Sequence, residues 1–211
     1  MAPVSAGRRL ATPVGDGRLV IGLPEAERGP VRGVLLLGHG AGGDVDAPDL
    51  VAVRDAALAG GVAVALFTQP YRVAGRRAPA PARQLDAAWA AAVASVGRRR
   101  ALRGLPLVVG GRSSGARVAC RTAAAAGAVA VVALAFPVHP PGRPEVSRLD
   151  ELDAVPVPVL VVQGVRDAFG RPPAAPAREV VVVAGDHSLR RDTAAVADAV
   201  VRFLDRLLPA A

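Results

Sequence analysis

The chain has 211 residues, of which 52% are apolar, and this length favours one folded domain with a sizeable core over residues 1–211. Its formal net charge is +8, and all 26 basic residues are arginines. The arginines are dispersed and aromatic residues make up only 3% of the chain, so the charge does not indicate a nucleic-acid-binding protein.

The predicted elements alternate between strands and helices. After an irregular N-terminal segment over residues 1–17, strands are predicted at residues 18–23, 31–37, 62–67, 106–109, 128–136, 157–162 and 179–183. Helices are predicted at residues 48–59, 83–96, 116–126 and 189–208, with long loops at 71–81 and 137–151. This alternation predicts an α/β fold, with a mostly parallel sheet of about seven strands and helices on both faces. No segment is long enough for a cap domain.

Ser113 lies in the pattern G-x-S-x-G, formed by Gly111-Arg112-Ser113-Ser114-Gly115. An apolar run precedes this pattern and an alanine-rich stretch follows it, so the local structure is predicted as strand, sharp turn and helix. Such a turn presents a serine hydroxyl to a base as a nucleophile. An ordinary glycine-rich turn is the alternative, and the choice depends on an acid and a histidine elsewhere in the chain.

Both partners follow at the ends of later strands. Asp167 comes three residues after Gly164, just past the strand at 157–162, and His187 comes just past the strand at 179–183. Open parallel sheets place functional side chains at these carboxyl ends. The order Ser113, Asp167, His187 is the order of an α/β-hydrolase triad. Asp186 is the alternative orienting acid, but neighbouring side chains in a chain rarely face each other.

A hydrolase of this type also needs two backbone donors for the oxyanion of its tetrahedral intermediate. The N–H of Ser114 is predicted to be one, because it follows the nucleophile. The second is expected from the glycine-rich loop after the strand at 31–37, with Ala41 as first choice and Gly42 as the alternative. A glycine-rich turn without a ligand is the other interpretation of that loop.

Further residues are candidates for the wall of a substrate pocket: His39, Tyr71, Arg112, His139 and Phe169. His39 competes with His187 as the base, although a structural role in its loop is favoured. For His139, substrate contact and loop anchoring are equally consistent with the sequence. Arginines at the turn and in the loop at 71–81 raise the idea of an anionic substrate, against the simpler interpretation of a solvated loop: Arg72, Arg76, Arg77 and Arg112.

No cofactor is expected, and no metal, because Cys and His spacing of the zinc type is absent. The single cysteine, Cys120, cannot form an intramolecular disulfide and fits a reducing cytoplasm. A secretory signal is not expected, because no apolar segment follows Arg8 and Arg9. The longest apolar run, at 123–138, is too short for a membrane span, so no membrane association is expected. The sequence leaves the oligomeric state open.

Five segments in this order resemble a small cap-less α/β-hydrolase-like family that includes testis-expressed and NSL-complex hydrolase-like proteins and many bacterial members: HGAGGD, GGRSSGARVAC, FPVHPPGRPE, VQGVRDAFG and GDHSL. Dienelactone-hydrolase-like proteins look like broader relatives. The resemblance spans about residues 31–208 and implies Ser113, Asp167 and His187 as the triad. The chain departs from the commoner form of the family at Ser114 and Ala116, where a bulkier residue and a glycine are usual.

Residues and resemblance together predict a cytoplasmic, bacterial serine esterase that cleaves a small carboxylic ester or thioester through an acyl-enzyme. The alternative is a noncatalytic binding or scaffold protein that keeps the hydrolase fold, since some eukaryotic members are candidates for such a role.

Overall fold

A computed structural model describes residues 7–210. Its centre is one eight-stranded sheet, in which the strands lie side by side in the order β1-β2-β4-β3-β5-β6-β7-β8. The strands, in chain order, are β1 (Arg8–Thr12), β2 (Gly15–Gly22), β3 (Gly33–Gly38), β4 (Val62–Thr68), β5 (Leu107–Arg112), β6 (Ala130–Leu134), β7 (Val159–Gly164) and β8 (Arg178–Val183). From β3 to β8 every neighbouring pair is parallel, as predicted.

The N-terminal segment corrects the sequence prediction. Residues 8–17, which were predicted to be irregular, belong to an antiparallel hairpin of β1 and β2, and this hairpin continues the sheet through β4. The remainder of that prediction, residues 1–6, lies outside the described residues. The strand predicted at residues 18–23 falls on β2, whereas β1 and the first residues of β2 are partly exposed and have no long apolar run, so the sequence pattern does not reveal them.

Helices cover both faces of the sheet. They are α1 (Pro48–Ala59), α2 (Pro70–Val73), α3 (Ala82–Gly97), α4 (Ser114–Thr122), α5 (Leu149–Asp153) and α6 (Thr193–Leu207), with a short 3-10 turn at Ala26–Arg28. The apolar faces of α1 and α6 pack on one side of the sheet, and those of α3 and α4 pack on the other. In the described part of the chain, no helix has the length and apolar character needed to cross a membrane.

Two apolar layers, one on each face of the sheet, form the core. Trp89 of α3 is 1% exposed and meets the ring of Phe67 edge-on, with 6.2 Å between the ring centres. Phe203 of α6 is 4% exposed in the opposite layer. Both aromatic side chains therefore serve packing.

The parallel arrangement brings the carboxyl ends of β3, β5, β7 and β8 to one edge of the sheet. The segments after these four strands carry the predicted triad and the predicted oxyanion donors. Between β6 and β7 the chain forms a loop and the five-residue helix α5, so no lid domain covers this edge in residues 7–210.

Candidate active site

Ser113 occupies a strained turn between β5 and α4. Its backbone has φ 53° and ψ −109°, a conformation that a residue with a side chain rarely adopts. The Ser113 amide donates to the Leu134 carbonyl oxygen over 2.8 Å, which ties the turn to the neighbouring strand. At Gly111 and Gly115 an added Cβ would lie less than 3.0 Å from the Gly38 carbonyl oxygen, so both glycines let the turn press against β3.

The structure brings Ser113, His187 and Asp167 into one hydrogen-bonded chain. The Ser113 Oγ lies 2.9 Å from His187 Nε2, and His187 Nδ1 lies 2.8 Å from Asp167 Oδ2. A carboxylate only accepts, so Nδ1 carries the proton and Nε2 is free to accept the serine hydroxyl. Asp167 is fully buried, whereas the His187 side chain is 21% exposed. The geometry matches that of a serine nucleophile, its base and an orienting acid.

Gln163 holds the Asp167 carboxylate, a role that sequence reasoning missed. This fully buried side chain donates from Nε2 to Asp167 Oδ2 over 2.8 Å, and it also reaches the carbonyl oxygens of Phe136 and Gly170. The second carboxylate oxygen accepts the Phe169 amide over 2.9 Å. The available signal was a glutamine at the end of an otherwise apolar buried strand, because a buried amide must find partners.

The His187 loop is held by contacts on several sides. The Phe169 ring meets the imidazole edge-on, with 4.4 Å between ring centres. The Arg166 amide donates to the Gly185 carbonyl over 2.9 Å, and an added Cβ at Gly164 would collide with the Asp186 backbone. The loops after β7 and β8 are therefore packed backbone to backbone, which fixes the imidazole against its acid.

Asp186, the alternative acid, faces away from the imidazole. It is exposed, and its Oδ1 accepts both the amide and the hydroxyl of Ser188, over 2.9 and 2.6 Å. These hydrogen bonds lower the pKa of the Asp186 carboxyl. Asp186 therefore bonds within its own turn, and Asp167 is the carboxylate that contacts His187.

The two residues predicted to supply oxyanion donors, Ala41 and Ser114, border the cleft next to Ser113. Within residues 7–210 no protein acceptor takes up either amide. The alternative donor, Gly42, lies outside the cleft wall, and its backbone instead faces the buried Tyr71 hydroxyl. Ala41 therefore fits the second donor position better than Gly42.

Arg112 lies beneath the turn and joins three loops. Its Nη2 donates to the His187 carbonyl oxygen over 3.3 Å, and its Nη1 lies beneath Gly40, where an added Cβ would collide with it. Its Nε is 3.3 Å from Asp49 Oδ2, in a side chain with no exposure at the start of α1. Burial raises the pKa of the Asp49 carboxyl, and the Arg112 charge opposes that rise.

The Ser113 hydroxyl opens onto a cleft of about 440 Å³, a size suited to a small molecule. Its apolar wall consists of Pro79, Pro137, Pro141 and Phe169, which includes one residue of the predicted pocket. Its charged wall consists of Arg112, Arg117 and Arg148. Arg112 was a predicted pocket residue, whereas Arg117 and Arg148 were not.

Three other predicted pocket residues do not line the cleft. His39 is 2% exposed, its Nδ1 donates to the Gly40 carbonyl, and its Nε2 accepts the Gln69 amide. Burial lowers the pKa of this imidazole, so it stays a neutral anchor of its loop. Tyr71 is 3% exposed and packs beside His39. The pocket predictions for both residues are thus corrected: His39 anchors the loop after β3, which is the structural role that the sequence favoured, and Tyr71 of α2 is buried beside it.

His139 lies behind the cleft wall. Its Nδ1 is 3.0 Å from the Pro140 carbonyl oxygen, and its ring packs near Phe169 with 6.3 Å between centres. It therefore braces a cleft residue without lining the cleft, which corresponds to the anchoring interpretation. Among residues 7–210 no group of three His, Cys, Asp or Glu side chains is placed to hold a metal ion.

Comparison with known proteins adds a family and a set of similar folds. Residues 31–199 match the sequence model of an alpha/beta hydrolase domain family. No curated protein matches the sequence significantly.

Solved structures share the whole architecture. An α/β serine hydrolase without a lid from Xanthomonas campestris is 22% identical, with a TM-score of 0.81 over 100% of this chain and 98% of its own. Est1E from Butyrivibrio proteoclasticus is 15% identical, with a TM-score of 0.78 over 96% of this chain and 99% of its own. Dienelactone hydrolase from Anabaena variabilis is 17% identical, with a TM-score of 0.75 over 99% of both chains. At these identities the likeness concerns the fold.

Proposed function

The chain belongs to the alpha/beta hydrolase domain family, and we propose that it is a serine hydrolase that cleaves a small carboxylic ester or thioester. The observation that carries this proposal is the continuous hydrogen-bonded chain from Ser113 Oγ through His187 to Asp167, which opens onto a cleft. A neutral serine is a poor nucleophile, so a base at 2.9 Å with its own acid has a direct chemical use.

In the acylation step, Ser113 Oγ attacks the carbonyl carbon of the substrate while its proton passes to His187 Nε2. Asp167 holds the imidazole in the required tautomer and stabilises the imidazolium that forms. Collapse of the tetrahedral intermediate breaks the bond to the alcohol or thiol. His187 gives its proton to that leaving group, and the acyl group remains on Ser113.

Deacylation repeats the sequence with water as the nucleophile. Water loses a proton to His187 and attacks the acyl carbon, and the proton then returns to Ser113 as the carboxylic acid leaves. In both steps the amides of Ala41 and Ser114 face the oxyanion. One such donor is worth about 3–4 kcal/mol of transition-state stabilisation.

The features that surround the cleft also support a small, freely exchanging substrate. The described part of the chain has no lid over the cleft, and the Pro79, Pro137 and Phe169 side chains give it an apolar wall. We place the enzyme in the cytoplasm as part of the same proposal, because its one thiol is buried and unpaired.

A panel of esters and thioesters of increasing acyl length tests the proposal, with wild type measured beside Ser113→Ala. We expect wild type to turn over at least one short acyl substrate and Ser113→Ala to lose about 10⁴-fold or more of kcat. Circular dichroism of both proteins excludes misfolding as the cause. Absence of turnover across the panel by folded wild type would instead favour the noncatalytic scaffold.

A further inference from the structure

We propose that the cleft selects esters whose acyl part carries a carboxylate, and that Arg148 is the residue that recognises this group. The inference rests on the proposed function, because it names the substrate class of the same site. It differs from the arginine-based idea that the sequence raised. Arg76 and Arg77 are exposed and do not line the cleft, whereas Arg72 donates to the Gly43 and Arg76 carbonyls.

The positive charges of the cleft wall are not all neutralised. Arg112 lies beside the Asp49 carboxylate at 3.3 Å. Arg117 makes two hydrogen bonds to Glu151, of 2.8 and 2.6 Å. Arg148, the third arginine of the wall, forms no ion pair with any carboxylate of residues 7–210. Arg148 is therefore the arginine of the cleft wall that lacks a direct carboxylate partner in the described part of the chain, because the nearby Glu151 bonds to Arg117 and Arg121.

Arg148 is held in position rather than free in solvent. Its side chain is half-buried, and one guanidinium nitrogen donates to the His139 carbonyl oxygen over 3.3 Å. Its amide donates to the Val138 carbonyl, which fixes the backbone of the loop. Partial burial and the positive charge of Arg117 lower the pKa of the Arg148 guanidinium. An anion in the cleft would counteract both effects, because it would stabilise the charged form of the guanidinium.

The rest of the wall defines the shape of such a ligand. Proline and phenylalanine side chains line the same cleft as Arg148 and Ser113, so a ligand that reaches both polar groups would have apolar side chains beside its spacer. A planar guanidinium binds a carboxylate through charge-assisted hydrogen bonds. A hemi-ester of a short dicarboxylic acid places an ester at one end and a carboxylate at the other, which matches this arrangement.

Binding to the Ser113→Ala protein tests the inference without turnover. The probes are monomethyl glutarate, which is anionic, and dimethyl glutarate, which is neutral and of similar size. A charge-assisted hydrogen bond is worth about 10- to 100-fold in affinity, so we expect the monoester to bind at least about tenfold more tightly. Adding Arg148→Gln should remove this preference, and Arg148→Lys should keep part of it.

Arg143→Gln is the matched control, because Arg143 is an exposed arginine of the same loop that does not line the cleft. It should leave the preference for the monoester in place. Equal binding of the two probes would overturn the inference. So would an Arg148→Gln protein that loses both probes to the same extent, since that result indicates a merely structural role.

Turnover by the wild-type protein then separates this inference from the proposed function. The ratio of kcat/KM for the monoester to that for the diester should fall by about tenfold or more in Arg148→Gln. Hydrolysis of the diester without preference for the monoester leaves the hydrolase standing and contradicts the role of Arg148. Selective binding of the monoester without hydrolysis of either probe would support the role of Arg148 and contradict the hydrolase function.

Discussion

At the scale of single residues, the site is a chain of hydrogen bonds in which each side chain positions the next. Ser113 meets His187, His187 meets Asp167, and Asp167 meets Gln163 and the Phe169 amide. Each link in this row is between 2.8 and 2.9 Å long. The imidazole orientation therefore depends on a carboxylate that is itself fixed on both oxygens.

Asp167→Asn should lower kcat by about 10⁴-fold while leaving the fold intact, because an amide nitrogen facing Nδ1 favours the wrong imidazole tautomer. Steady-state kinetics on the best ester of the panel measures the effect. Asp186→Asn is the matched control, since this neighbouring carboxylate bonds to Ser188 and not to the imidazole. Comparable losses in the two variants would argue against Asp167 as the orienting acid.

Gln163→Leu should reduce the free energy of unfolding by about 2 kcal/mol and also lower kcat. The change leaves Asp167 Oδ2 and two buried carbonyl oxygens without this donor. Urea denaturation and ester kinetics measure the two effects. Gln84→Leu, at an exposed position of α3, makes the same chemical change and should affect neither quantity. Unchanged kinetics in Gln163→Leu would show that Asp167 needs no such support.

Some site residues could be predicted from the sequence and others could not, depending on whether they follow a recognisable strand. Ser113, Asp167 and His187 follow strand ends, where a pattern is visible along the chain. Arg148 enters the cleft from the loop before α5, and only the three-dimensional contacts distinguish it from the other arginines. His39 looks like a pocket residue in the sequence because its strand position is right, but its direction depends on how the loop folds.

At the scale of elements, the site depends on how closely α4 approaches β3. The apolar runs of the buried strands are readable in the sequence, and α1 has the predicted bounds, Pro48–Ala59. The strand predicted at residues 18–23 matches most of β2, but β1 was missed because partial exposure removes the periodic signal. The close approach at Gly115 could not be predicted, because its only trace in the sequence is a glycine, and glycines occur for many other reasons.

Gly115→Ala should destabilise the protein by about 3 kcal/mol, because its Cβ would meet backbone atoms of Gly38 and His39 that cannot move independently of β3. Urea denaturation followed by circular dichroism gives the change. Gly97→Ala, at the end of α3, meets nothing within 4 Å and should be neutral or stabilising by about 0.5–1 kcal/mol. Equal stability of the two variants would contradict the close packing of α4.

At the scale of the whole molecule, an apolar layer on each face shields the central sheet from solvent. Cys120 of α4 is 4% exposed within one of these layers, and burial raises the pKa of its thiol to about 12. A buried thiol in its neutral form is a poor nucleophile toward disulfide reagents. The cysteine therefore reports on opening of the core as a whole.

Modification of Cys120 by an aromatic disulfide reagent should be negligible in the native protein and complete in denaturing urea. The reacting fraction should follow the unfolding transition that circular dichroism records, because the thiol becomes accessible only when the layer around α4 opens. Absorbance of the released thiolate measures the reaction. Rapid modification under native conditions would mean that this layer opens locally.

A fluorophosphonate probe, followed by intact-protein mass spectrometry, tests whether Ser113 is a nucleophile that His187 activates. We expect one adduct on wild type, located at residue 113, and no adduct on Ser113→Ala or on unfolded wild type. Ser188→Ala should still be labelled, since that hydroxyl bonds to Asp186 whereas the His187 imidazole meets Ser113. Folded wild type that stays unlabelled, or an adduct that survives in Ser113→Ala, would mean that Ser113 is not an activated nucleophile.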